Sequence, residues 1–154
     1  MLNLDIKYSA LSFTWDTAEL SLREIFSFSE KTLLYFYPRD NTPGCTAQAC
    51  SLRDGYDALL SHGIKVLGVS ADSVKSHDKF SSKFTLPFSL LADENKEVIN
   101  LFGVWGPKKF MGREYEGIHR ISFVIDEKGF VSHIIQKPKT KDHANEILNL
   151  LELN

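Results

Sequence analysis

The most constraining stretch of this chain is a short one in which a strand pattern stops and a helix pattern starts. Residues 32–37 (TLLYFY) are aromatic and β-branched enough for a buried strand, and Pro38, which cannot donate to a sheet ladder, ends it. Arg39-Asp40-Asn41 reads as a polar loop. Thr42 then suits a helix N-cap, because its hydroxyl can accept a free backbone N–H of the first turn. Pro43 suits the first helical position, where a missing N–H costs nothing. Cys45, Ala49, Leu52, Tyr56 and Leu59 recur at helical spacing, and Gly63 supplies a C-terminal stop.

The alternation continues. Residues 64–70 (IKVLGVS) read as a buried strand and residues 73–84 as a helix with Val74, His77, Phe80 and Phe84 along one face. Residues 88–91 are a short strand, and Asp93 caps a helix carrying Val98, Ile99 and Phe102 that Gly103 closes. Residues 106–117, with two lysines and three glycines, read as a loop. Residues 120–125 and 130–135 are strands joined by a hairpin, and a last helix starts near Asp142 with Ala144, Ile147, Leu148 and Leu151 facing the core. Before Thr32 the pattern is weaker, with short hairpin strands at 11–15 and 20–22. The expected architecture is α/β, a central mixed sheet flanked by helices, in one domain over residues 1–154. A strand, a loop and a cysteine at a helix start is also the layout of the thioredoxin-like fold.

Composition limits the partners. The chain has 154 residues, of which 43% are hydrophobic, enough to bury a core without disulfide or metal. Its formal net charge is -2, so no basic excess exists to neutralise phosphates, and no nucleic-acid role is expected. Lys108-Lys109 with Arg113, and Lys137-Lys139-Lys141, read as solvated loop clusters. No apolar run approaches the roughly 20 residues that span a bilayer, and the N-terminus has no signal-peptide pattern, so the expected location is the cytoplasm, with no membrane contact.

Cys45 and Cys50 are the two cysteines of the chain. With Thr42 as cap, Cys45 falls in the first helical turn, where free N–H groups and the positive end of the helix dipole favour thiolate over thiol. A buried, inert cysteine satisfies the same local pattern. Cys50 adds a constraint. Five residues along an ideal helix, two Cα atoms lie about 8–9 Å apart with side chains diverging by about 140°. A disulfide needs Cα atoms within about 7 Å, so the two sulfurs cannot bond while the helix is intact. If they do bond, the first turn or more must unwind, which suggests a switch. Zinc ligation is conceivable but unsupported: there is no second cysteine pair, and His62, His77, His119, His133 and His143 show no ligand spacing.

The segment YFYPRDNTPGCTAQAC resembles the active-site segment of peroxiredoxins, whose shared pattern Pro-x-x-x-Thr-x-x-Cys is met by Pro38, Thr42 and Cys45. Cys50, SLRDGYDALL after it and FGVWGPKKFMGREYEGIHRISFVIDEKG downstream resemble one branch, the bacterioferritin comigratory proteins, also called peroxiredoxin Q. The likeness runs from about Thr32 to Leu151. The Gly-x-x-Ala-Pro-x-Phe opening usual in the family is replaced by Ser9-Ala10-Leu11-Ser12-Phe13.

The resemblance implies a thiol peroxidase. Cys45 would be the peroxidatic cysteine, attacking hydrogen peroxide or an alkyl hydroperoxide and becoming a sulfenic acid. Thr42 would direct its hydroxyl at thiolate and peroxide, Pro38 would wall the pocket, and Arg120 would stabilise the thiolate and hold a peroxide oxygen. Cys50 would resolve the sulfenic acid as an intramolecular disulfide, which thioredoxin would reduce. No cofactor or metal is implied, and a monomer is the default. Without the resemblance, Arg120 reads as a surface salt bridge, and Phe36 and Trp105 as core. Gln48, one turn beyond Cys45, is a further candidate for a hydrogen bond near the site.

Two other readings use the same cysteines. A thioredoxin-type oxidoreductase wants Cys-x-x-Cys, which the spacing here does not supply. A non-enzymatic peroxide sensor or redox-switched holdase shares the first oxidation step, but predicts a partner for the oxidised form and negligible turnover with thioredoxin.

Overall fold

Along the expected central strand, alternate side chains face opposite sides, and each side meets its own helices. The computed structural model describes residues 12–15, 18–21, 31–126 and 130–153. Strands β1 (Ser12–Trp15) and β2 (Ala18–Ser21) pair antiparallel, as the hairpin reading expected; its tip lies outside the described residues. β3 (Lys31–Phe36) leads into α1 (Pro43–Asp54) and α2 (Tyr56–Ser61). Next come β4 (Ile64–Ser70), α3 (Val74–Phe84), β5 (Ser89–Ala92) and α4 (Glu97–Leu101). A separate antiparallel ribbon, β6 (Trp105–Phe110) and β7 (Arg113–Ile118), precedes β8 (Ile121–Asp126), β9 (Val131–Ile135) and α5 (His143–Leu150).

The main sheet has seven strands in the order β2-β1-β5-β4-β3-β8-β9. β3 pairs parallel with β4 and β4 with β5, while β8 and β9 add antiparallel partners on the other side. The sheet is therefore mixed, as expected. Leu34 and Phe36 of β3 pack with Leu67, Val69, Val98, Phe102 and Phe123 on one face. Leu33, Tyr35 and Tyr37 pack with Cys45, Leu52, Phe80 and Ile147 on the other, under α1, α3 and α5. Opposite Tyr35 in the β4 register stands Gly68, where any Cβ would meet the Tyr35 hydroxyl and Leu90 at 2.8 Å, so the tyrosine fills the space a side chain would take.

Three expectations are corrected. The single helix expected up to Gly63 is two, broken at Gly55. A Cβ at Gly55 would lie 2.4 Å from Cβ of Ala144, so the close approach of α5 requires a glycine there. Residues 106–117 are not a loop but the β6–β7 ribbon. Met111 and Gly112, with φ of 51° and 79°, turn it in the left-handed conformation that two-residue hairpins favour. The ribbon is mostly exposed, so it lacks the apolar alternation that marks a strand. Asp93 does cap α4, its carboxylate accepting the N–H groups of Glu97 (2.9 Å) and Ile99 (2.8 Å), but the helix itself begins only at Glu97.

Candidate active site

The loops that follow β3, β4 and β5 gather at the carboxyl ends of these parallel strands, the usual place for a site in an open α/β sheet. β3 ends at Phe36, and the chain passes through Pro38 and Thr42 into α1. β8 begins beside that point, because Ile121 is the register partner of Phe36. Arg120 therefore sits not within the strand but in the link just before it, and this places its guanidinium over the start of α1.

Cys45 is the third residue of α1 and 2% exposed. The first intrahelical hydrogen bond, Thr46 N–H to Thr42 O at 2.8 Å, leaves the N–H groups of Gly44 and Cys45 ahead of the ladder at the positive end of the helix. Arg120 Nη2 lies 3.3 Å from Cys45 Sγ, and Nη1 donates to Gln48 Oε1 at 2.6 Å. The salt-bridge reading of Arg120 is not what the fold presents: the guanidinium spans a buried sulfur and a buried amide. Gln48, fully buried, holds the fork in place one turn beyond the cysteine, the position that suggested a hydrogen bond near the site. Gly44 was missed by the sequence reading. A Cβ there would lie 3.1 Å from Arg120 Nη2, so the glycine makes room for the cation.

Thr42 occupies the N-cap position with extended backbone, but its hydroxyl makes no cap bond. It donates instead to the Arg39 carbonyl at 2.9 Å. The expectation of a capping acceptor is thus corrected: the proton is used across the preceding loop, which leaves the oxygen lone pairs as acceptors. Pro38 lines a cavity of about 440 Å³ with Ala71, Trp105, Lys108, Tyr115 and Ile118. A second cavity of about 510 Å³ is lined by Arg120, Lys108, His119, Ile121 and Lys137. A third cavity, about 560 Å³, lies between Asp40 and Asn41 of the β3–α1 loop and Lys75, Lys79 and Lys83 of α3, and the sulfur is not part of its lining.

Phe36 is core, its ring tilted against Phe102 and edge-on to Phe123. Trp105 both packs on that core and walls the Pro38 cavity, with its indole N–H donating to Glu116 at 3.0 Å and Lys96 over its ring. Lys108 departs from its reading as a solvated loop residue. It is half-buried, donates to the Ile118 carbonyl at 2.9 Å and lies between the two cavities, where burial and then Arg120 lower its pKa. Its ribbon neighbours Lys109 and Arg113 are exposed, as are Lys137, Lys139 and Lys141. Cys50, half-buried on α1, is a free thiol like Cys45.

The fold and this cysteine–arginine pair define a thioredoxin-fold thiol enzyme, and comparison with known proteins specifies which. Residues 6–134 match the AhpC/TSA family. The peroxiredoxin Bcp of Escherichia coli (strain K12) is 49% identical over 123 residues, 80% of this chain and 79% of that one. A putative peroxiredoxin bcp of Coxiella burnetii is 41% identical over 153 residues, 97% of this chain and all of its own. The solved Xanthomonas campestris bacterioferritin comigratory protein, described with alkyl peroxide reduction activity, superposes with a TM-score of 0.84 at 33% identity, covering 92% of this chain and 90% of that one. The chain belongs to the AhpC/TSA family, in its Bcp or peroxiredoxin Q branch, and is a peroxidase with a thioredoxin-like α/β fold.

Proposed function

We propose that Cys45 is the peroxidatic cysteine, Cys50 its resolving partner and thioredoxin the reductant, in a single-domain monomer that acts on hydrogen peroxide and alkyl hydroperoxides. The observation that carries this reading is the Arg120 guanidinium 3.3 Å from Cys45 Sγ, at the first turn of α1. A thiolate there attacks the terminal oxygen of ROOH; the O–O bond breaks, the sulfur takes one oxygen as sulfenic acid, and RO⁻ leaves to be protonated. Negative charge passes from sulfur to the departing oxygen within reach of the guanidinium, which stabilises it throughout. Pro38 shields one side of the sulfur, and Thr42 offers its hydroxyl oxygen to the peroxide proton.

Resolution follows by condensation: the Cys50 thiol displaces the sulfenic hydroxyl, giving a disulfide and water. The spacing of the two residues on α1 forbids this without unwinding, so the N-terminal turns of the helix open first. A dithiol such as thioredoxin then attacks the disulfide and leaves oxidised, restoring both thiols. The reading is tested by intact mass and free-thiol count after one equivalent of hydrogen peroxide. Wild type is expected to lose both thiols to a disulfide, and Cys50→Ser to hold a sulfenic acid at Cys45 and to fail in recycling by thioredoxin. Intact thiols in the wild type would overturn it.

A further inference from the structure

Asp40 is the middle residue of the loop that carries Pro38 and Thr42, and it is buried, 8% exposed, where a charged loop residue ordinarily faces water. Its Oδ1 accepts the Tyr37 hydroxyl at 2.6 Å. Its Oδ2 accepts the Ser76 hydroxyl at 2.8 Å and lies 2.7 Å from His77 Nδ1. Its backbone N–H donates to Asp72 Oδ2 at 2.9 Å, and that oxygen also accepts the Ser70 hydroxyl at 2.7 Å. His77 is 1% exposed, and its Nε2 lies 3.0 Å from the Leu91 carbonyl oxygen.

The two nitrogens of His77 therefore face a carbonyl and a carboxylate, which only accept, so both nitrogens carry protons and the ring is an imidazolium. The groups that surround it come from every neighbouring element: Tyr37 at the end of β3, Asp40 in the next loop, Asp72 after β4, the Leu91 carbonyl of β5, and Ser76 on α3 itself. Burial opposes charge on His77 and is the largest single influence, but the hydrogen bond to Asp40, the charge of that carboxylate and the Leu91 carbonyl together outweigh it and raise the pKa. Burial also keeps the Tyr37 phenol protonated, so it donates. Asp40, Asp72 and His77 have the spacing of a metal-ligand set, but their facing atoms are already joined by these hydrogen bonds.

The network ties the middle of the loop to β3, to α3 and to the turn after β4 at once. Beside Asp40, Asn41 turns the chain at a φ of 57°, a left-handed conformation that asparagine adopts readily, so the loop bends there while its middle is tied down. We infer that the buried Asp40–His77 ion pair sets the β3–α1 loop, and with it the placement of Pro38 and Thr42 against Cys45, making His77 a positioning residue for peroxide attack. This inference rests on Cys45 being the peroxidatic sulfur. Removing one partner strands a buried charge, whereas removing both does not, and a loop displaced by an ångström is enough to slow a positioned reaction by about 100-fold.

The test is the rate of Cys45 oxidation by hydrogen peroxide, from rapid-quench thiol counts across pH, in wild type, Asp40→Asn, His77→Gln, the double variant and Ser76→Ala. Each single change is expected to slow oxidation roughly 10- to 100-fold without moving the ultraviolet titration of the thiolate, and the double variant to recover part of the loss. Corrected for thiolate fraction, the wild-type rate is expected to fall as pH rises through the His77 titration, a decline absent from the double variant. Folded single variants that react at the wild-type rate would overturn the inference. Should they fail to fold, Ser76→Ala decides: a slower reaction supports it and an unchanged one overturns it. A wild type inert to peroxide would sink the Cys45 reading instead, so the two failures are distinct.

Discussion

Cys45 is packed into an apolar layer, and its sulfur meets positive charge from two directions: the first turn of α1 on one side and Arg120 Nη2 on the other. Gln48 fixes the guanidinium, and Gly44 leaves it room. Arg120→Met keeps the bulk of the chain but removes the charge and both hydrogen bonds. It is expected to slow oxidation of Cys45 by roughly 100-fold, the loss typical of one donor aimed at developing negative charge. Stopped-flow measurement of the peroxide step checks this, and an unchanged rate would return Arg120 to a structural role.

The Asp40–His77 pair also makes stability depend on pH, and the two signs oppose. Burial alone would raise the Asp40 pKa, but hydrogen bonds from His77 and Tyr37 hold it below 3.8; its contribution is present above 3.8 and lost as pH falls through the depressed value. The His77 pKa is raised above 6.5, so its contribution is present below 6.5 and lost as pH rises through the higher value. The stabilising effect of the pair is thus fullest between these limits. Urea midpoints across pH are expected to show the advantage of wild type over His77→Gln shrinking on the alkaline side. Parallel curves would mean that the pair contributes nothing.

Among the elements, α1 has unequal halves. Its start bears Cys45 in an end turn, and its finish is clamped where Gly55 meets Ala144 of α5. Gly55→Ala places a Cβ 2.4 Å from that of Ala144, so α5 must shift; overpacking of this kind costs about 1–3 kcal/mol, read as a lower urea midpoint. The clamp also confines any opening of α1 to its N-terminal turns. The strand-to-helix boundary at Pro38 to Pro43 was legible from residues alone, because proline and threonine act locally. The β6–β7 ribbon was not: its side chains are mostly in water, so selection for an alternating apolar face is absent, and the Met111-Gly112 turn lacks the usual asparagine or aspartate.

For the whole molecule, the proposed disulfide asks the start of α1 to open while the sheet stays formed. β3 is buried on both faces between two apolar layers, while α1 begins at a loop. Gln48 Nε2 is buried without a hydrogen-bond partner among the described residues, a cost of about 1–3 kcal/mol that opening of the turn relieves. Hydrogen exchange is expected to quicken at residues 43–50 in the disulfide form and to stay slow across β3, β4 and β8. Unaltered protection of α1 would show that the cysteines do not bond within one chain. Among the described residues no helix is long and apolar enough to cross a membrane.

Residues near in sequence were placed locally: Pro38, Thr42, Cys45 and Cys50 lie within a single loop and helix that proline positions and helical spacing locate without the rest of the chain, though the roles of Pro38, Thr42 and Cys50 came from the resemblance. Arg120 became a candidate only through resemblance. Its contact with Cys45 depends on the register of β8 against β3, a pairing between segments far apart in the chain that no local preference specifies. The same holds for Lys108, and for Asp40 and His77. A charged residue in a polar loop and a histidine on a helix face look solvated or merely apolar until the fold brings them to 2.7 Å, because burial and partnership are properties of packing.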